Sequence, residues 1–271
     1  AGAEELRQIA VEADRLGYHH LTCSEHVGIP VAVSRVRGAR YYDPLSTFGF
    51  FAALTRRVRF ATHVLVLPYH HPLEIAKRYG TLDRLCGGRL ILGVGVGSLA
   101  EEFELLGVDF ASRGERYEDQ LRALRAALGS SEPEYRGTHV RFHGFVVDPR
   151  AGRTPPIWIG GRSYRSLRRA LVFADGWDPF GLPLEALAGF LDKARRSREW
   201  EERPSALEVV LSPERSFDLT QPSEVERQID LVRRYRDVGA TILNLRFRHR
   251  SLEHYLEQLD RFARLVAPEF Q

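Results

Sequence analysis

Apolar positions recur along this chain with two alternating periods. Residues 4 to 16 place apolar side chains at 6, 9, 10, 13 and 16, a helical stripe that Gly17 ends. HHLTCSEH (19–26) then reads as a strand. Further strands are predicted at VRFATHVLVL (58–67), RLILGVG (89–95), PIWIGG (156–161), GWDPF (176–180), LEVVLS (207–212) and TILNLRF (241–247). Helical stretches lie between them at 73–86, 99–106, 115–128, 163–174, 184–200 and 222–238, and a last helix from Leu252 to Val266 closes the chain. Strands that alternate with helices imply a parallel sheet. One segment breaks the rhythm: EYRGTHVRFHGFVVDPRAGRTPP (134–156) has short alternating β runs and an Arg-Gly turn, and predicts a hairpin inserted before IWIGG.

GVGVGSLA (93–100) admits two architectures. Gly95-Val96-Gly97-Ser98-Leu99-Ala100 fits the G-x-G-x-x-A turn of a dinucleotide-binding domain. Such a turn follows the first strand, with an acid about 20 residues on at the end of the second strand to hold the ribose. Here the turn follows the third visible strand, and RGERYEDQ, at that distance, opens a helix. The alternation fits an α/β (β/α)8 barrel instead, and a single domain over residues 1–271. Seven strands are visible. The chain opens on Ala1, directly on a helix, and holds no Met, so the first strand of such a barrel is expected to precede it.

Composition narrows the function. With 44% hydrophobic and 28% charged residues the 271-residue chain can bury a large core. The net charge is +3, and all but Lys77 and Lys193 of the 39 basic residues are Arg without a long basic run, so neither nucleic acid nor a membrane surface is an expected partner. Cys23 and Cys86 have neither disulfide nor zinc spacing, and no signal peptide or membrane span is visible, which predicts a cytoplasmic protein. The pairs His19-His20 and His70-His71 lack the H-x-H spacing of a metal-dependent barrel, so no metal is expected. His71-Pro72 reads as the loop that opens a helix. Asn244, Arg246 and Arg248 alternate onto one face, suited either to an anion or to salt bridges.

LGYHHLTCSEHVGIP, ATHVLVLPYHHPLEIAKRYGTLDRLCGGRLILGVGVG, EEFELLGVDFASRGER, PPIWIGGRS and ADGWDPFG together resemble the bacterial-luciferase-like superfamily of flavin and deazaflavin enzymes, and more narrowly its coenzyme F420-dependent oxidoreductases. The resemblance runs in order from the first helix to the last. It implies a (β/α)8 barrel with the tricyclic ring at its C-terminal mouth, against a bulge in FATHVLVL whose matching bond, His63–Val64, is a non-proline cis peptide in many members. It also puts Gly95, Val96 and Gly97 beside the ring or its tail. Glycines at that junction can equally relieve crowding. Gly160 and Gly161 end a strand while Arg162 and Ser163 begin a helix, a combination able to hold an anionic tail.

Glu25 and His26 match the family's acid-plus-His pair at the strand end. His26 is the candidate acid or base for the proton that accompanies hydride transfer, with Glu25 orienting it; the alternative is a histidine that only caps the strand. Some deazaflavin-dependent sugar dehydrogenases carry Glu where Ser98 stands, which speaks against that chemistry here. The expected activity is hydride transfer between F420 and a small organic substrate. The alternatives are an FMN-dependent monooxygenase fed reduced flavin by a separate reductase, and a barrel that carries or senses the coenzyme without turnover. Loops 27–43 and 129–155 would line the substrate pocket. A homodimer packed through early helices such as 73–86 is expected.

Overall fold

The computed structural model describes residues 2–270. In chain order its elements are α1 (Ala3–Leu16), β1 (His20–Cys23), α2 (Val31–Arg37), α3 (Pro44–Leu54), β2 (Arg59–Thr62), β3 (Leu65–Val66), α4 (Pro72–Leu85), β4 (Leu90–Gly95), α5 (Ala100–Leu105) and α6 (Arg113–Gly129). A short hairpin, β5 (Tyr135–Arg136) and β6 (Arg141–Phe142), precedes β7 (Ile157–Gly160), α7 (Tyr164–Phe173) and β8 (Gly176–Asp178). Then come α8 (Leu184–Arg195), α9 (Arg198–Glu201), β9 (Glu208–Leu211), α10 (Pro222–Val238), β10 (Ile242–Leu243) and α11 (Leu252–Leu265).

All seven strand positions read from the periodicity are occupied, in a (β/α) succession, with the hairpin where it was expected. Three details differ. The strand over 58–67 is two, β2 and β3, separated at His63–Val64. The helix over 184–200 stops at Arg195, and Ser197 caps a new one by accepting the Trp200 N–H. Part of the expected pocket loop is helical: α2 buries none of its residues, and α3 follows it.

Residue contacts divide the chain into two compact units. One comprises Thr22–Ala53 and Arg59–Gly160. In it β4 lies parallel between β2 (Phe60 opposite Leu90) and β7 (Val94 opposite Ile159), and β3 pairs with its C-terminal end (Leu65 opposite Val94). All six residues of β4 are buried, as a parallel strand covered on both faces requires. Gly93 permits the approach to β2, because a Cβ there would run into the Thr62 carbonyl oxygen.

The other unit runs through Leu21, resumes over Leu54–Val58 and takes the chain from Gly161 on. Its strands β8, β9 and β10 are parallel, with Trp177 opposite Val209 and Leu243 opposite Leu211. Phe217, Leu219, Val232, Phe247, Leu259, Phe262 and Val266 form its core, Leu259 and Phe262 from α11, with Leu16 at the end of α1 packed against them. No helix among the described residues is long and apolar enough to cross a membrane.

Asp119 on α6 anchors the inserted hairpin. Its carboxylate accepts hydrogen bonds from the Tyr135 hydroxyl (2.7 Å) and from the backbone N–H groups of His139 (2.7 Å) and Val140 (2.9 Å). Burial opposes its ionisation, but these donors outweigh burial and hold the carboxyl below the usual aspartate value. Asp119→Ala, which leaves the donors unpaired, is expected to cost about 2–3 kcal/mol in urea unfolding at pH 7. Because the folded-state pKa is depressed, this contribution is present at neutral pH and fades as pH falls through the carboxylate range. A penalty equally large at about pH 3 and pH 7 would show that the charge contributes nothing.

Candidate active site

Three segments of the first unit meet where β1 ends. Past Cys23 the chain runs beside the break between β2 and β3, where the His63 N–H donates to the Cys23 carbonyl (2.8 Å). The His63–Val64 peptide is cis, at the bond the resemblance indicated. Beyond the break, β3 pairs with the end of β4, Val66 opposite Gly95. Glu25, His26, His63, Val64, Gly95, Val96 and Gly97 therefore lie in one neighbourhood, and Gly160 ends the strand on the other side of β4.

Glu25 does not orient His26. Its Oε2 accepts the Val66 N–H (2.7 Å) and its Oε1 pairs with His70 Nε2 (2.8 Å), so both oxygens are spent on the segment beyond the break. Gln120 donates to the His70 carbonyl (2.8 Å). The carboxylate that meets His26 is Glu102 on α5: Oε2 lies 2.8 Å from His26 Nδ1, while Oε1 accepts the N–H groups of Val27 (2.8 Å) and Gly28 (3.2 Å). Glu102 is 1% exposed and the His26 side chain 19%. Tyr41 packs edge-on against the His26 ring at 4.5 Å. Sequence reasoning passed over Glu102, although a signal was present. In SLAEEFELLG an acid stands at 102 within the apolar helical stripe 99, 103 and 106, where a solvated acid has no place.

The glycines of GVGVG are filled by protein. A Cβ on Gly95 would lie 2.5 Å from Val64 Cγ2. Gly97 has φ +80°, and a Cβ there would meet Phe103 at 2.6 Å and Val66 at 2.7 Å. The relief-of-crowding reading thus has a specific cause at both positions. Phe103 also packs edge-on against Tyr69 (4.8 Å), whose buried hydroxyl has no hydrogen-bond partner among the described residues. Burial, aided by the carboxylates of Glu102 and Glu25, raises that phenol's pKa.

Gly161, Arg162 and Ser163 belong to the second unit. Gly161 (φ +129°) has Ser166 where its Cβ would be, the Arg162 guanidinium lies 5.5 Å from the Phe180 ring centre, and Ser163 caps α7 with its carbonyl accepting from Ser166. Asn244 is engaged there with His20 and with the buried Asp178, and Arg246 with the carbonyls of Pro213 and Glu214. His71 caps α4, its Nδ1 accepting from the Leu73 N–H.

The family described as luciferase-like monooxygenases matches residues 1–267. The chain belongs to this family. An uncharacterized protein of Mycobacterium tuberculosis is 31% identical over 263 residues, covering 89% of this chain and 84% of its own. Among solved structures, an F420-dependent secondary alcohol dehydrogenase, in complex with an F420-acetone adduct, superposes with a TM-score of 0.81 at 15% identity, over 100% of this chain and 96% of the other. A type II Baeyer-Villiger monooxygenase component from Pseudomonas putida, in complex with FMN, does so with 0.78 at 16% identity, over 99% and 93%. At such identities the likeness is one of fold. The luciferase-like fold and an oxidoreductase family are thereby given, and within this fold both coenzymes occur.

The Glu25–His70 pair carries a pH dependence. Burial disfavours the charged imidazole, but the hydrogen bond and charge of Glu25, with Glu74 and against Arg78, raise the His70 pKa above 6.5. A raised pKa stabilises the fold fully below the unfolded value and loses that contribution as pH rises through the folded one. His70→Gln should therefore cost more stability in urea at about pH 6 than at about pH 8.5. Equal costs would mean that the pair is held without charge.

Proposed function

We propose that this protein passes a hydride between coenzyme F420 and a small organic substrate. The reading rests on one observation: His26, three residues past the Cys23 carbonyl that receives the His63 N–H, is held through Nδ1 by a buried carboxylate with its ring only partly exposed. The residues fit a planar ring. Val64 and Val96 offer apolar surface without a charged group, and Val64 is seated over Gly95. The bound coenzyme supplies C5 as hydride carrier.

His63, Val64 and Val96 bind and orient that ring, and Tyr41 shields His26 from water. Nε2 of His26 gives or takes the proton that must accompany the hydride, a role worth about 10²–10⁴ in rate. A second reading, oxygenation with reduced FMN, is favoured by the family's description as monooxygenases and asks the same His26 to handle a proton.

Titration of the purified protein with F420, FMN and NAD, followed by fluorescence quenching, should rank F420 tightest and NAD weakest. Tightest binding of FMN would move the assignment to the second reading. His26→Ala should leave coenzyme affinity near that of the unaltered protein and lower turnover about 10²–10⁴-fold in single-turnover reduction. Undiminished turnover would mean that another group is the acid.

A further inference from the structure

We propose that Glu102 is the positioning residue for His26, fixing its tautomer so that Nδ1 carries the proton and Nε2 is the working nitrogen. The proposal rests on the reading of His26 above, but its central claim concerns the resting protein and is testable without a substrate. It begins with the two oxygens of Glu102. Oε1 accepts two backbone N–H groups, those of Val27 and Gly28. An ionised carboxylate can only accept, so the 2.8 Å contact of Oε2 with His26 requires a hydrogen on Nδ1. In the neutral imidazole Nε2 then carries the lone pair. No described residue hydrogen-bonds to Nε2.

The same carboxylate serves the second protonation state. When Nε2 takes a proton the ring becomes an imidazolium facing a carboxylate that is 1% exposed, and in such a setting a charge pair is weakly screened. When Nε2 gives the proton up, the ring returns to the tautomer it had, without rotating. Glu102 need not touch the substrate to do this. It acts through His26 and by stapling residues 26–28 to α5.

A merely structural staple would make the same backbone contacts, and Glu102→Gln separates the two roles. The amide oxygen can still accept from Val27 and Gly28, which turns the amide NH₂ toward His26 Nδ1. Nδ1 must then accept, and the proton moves to Nε2. The staple is kept and the tautomer inverted.

The test is long-range ¹H–¹⁵N correlation on ¹⁵N-histidine-labelled protein at mildly alkaline pH, the His26 signal assigned by comparison with His26→Gln. The unaltered protein should show Nδ1 protonated. Glu102→Gln should show Nε2 protonated, with an unfolding midpoint close to that of the unaltered protein. With a confirmed substrate its kcat should fall about 10²-fold or more while coenzyme affinity changes little, since a wrong tautomer cannot serve as the base. An Nε2-protonated His26 in the unaltered protein overturns the proposal, and that measurement stands even if Glu102→Gln does not fold. An unchanged tautomer in Glu102→Gln overturns it as well. Inverted tautomers support it whichever coenzyme binds, so failure of the F420 reading would appear separately, in the titrations.

Discussion

The carboxylate of Glu25 is the contact on which the site's arrangement depends. It is 9% exposed, and a buried carboxylate is tolerable only when its oxygens are satisfied. One receives the Val66 N–H from the strand beyond the β2–β3 break, the other His70 from the segment ahead of α4. With the His63 N–H on the Cys23 carbonyl, this joins the end of β1 to both sides of the break. Val64 is thereby placed over Gly95 and β3 is kept in register with the end of β4.

That use of Glu25 decides what its neighbour can do. Successive side chains leaving a strand end point to different sides. Glu25 turns toward β3, and His26 turns toward α5, where Glu102 waits in a stripe of apolar residues. Two carboxylates and two imidazoles are thus paired crosswise, 25 with 70 and 102 with 26. Each acid also accepts backbone N–H groups, so each fixes a stretch of main chain as well as a ring. The proposed chemistry needs such an arrangement, because a proton relay is useful only when its nitrogen is held in one orientation.

The three glycines that draw the eye in GVGVG have explanations inside the protein. The Thr62 carbonyl oxygen, Val64, and Phe103 with Val66 occupy the space in which side chains at 93, 95 and 97 would lie. A glycine pattern that resembles a phosphate turn therefore arises here where two strands, a bulge and a helix crowd together.

The sequence by itself determined the order of elements and the family. Burial imposes a period of two or of 3.6 on each segment locally, and the run of TLDRLCGGRLILGVGVG before PPIWIGG is visible without coordinates. It also brought out Glu25, His26 and the His63–Val64 bond. It missed α2 because that helix buries nothing, and α3 because PLSTFGFFAAL is apolar on nearly every side; neither shows a stripe. Only the tertiary structure decided which acid serves which histidine. Glu25 meets Val66 41 residues away and Glu102 meets His26 76 residues away. No periodicity carries such a pairing, since it depends on how β1, the β2–β3 break and α5 pack, and adjacency in sequence had suggested the wrong partner.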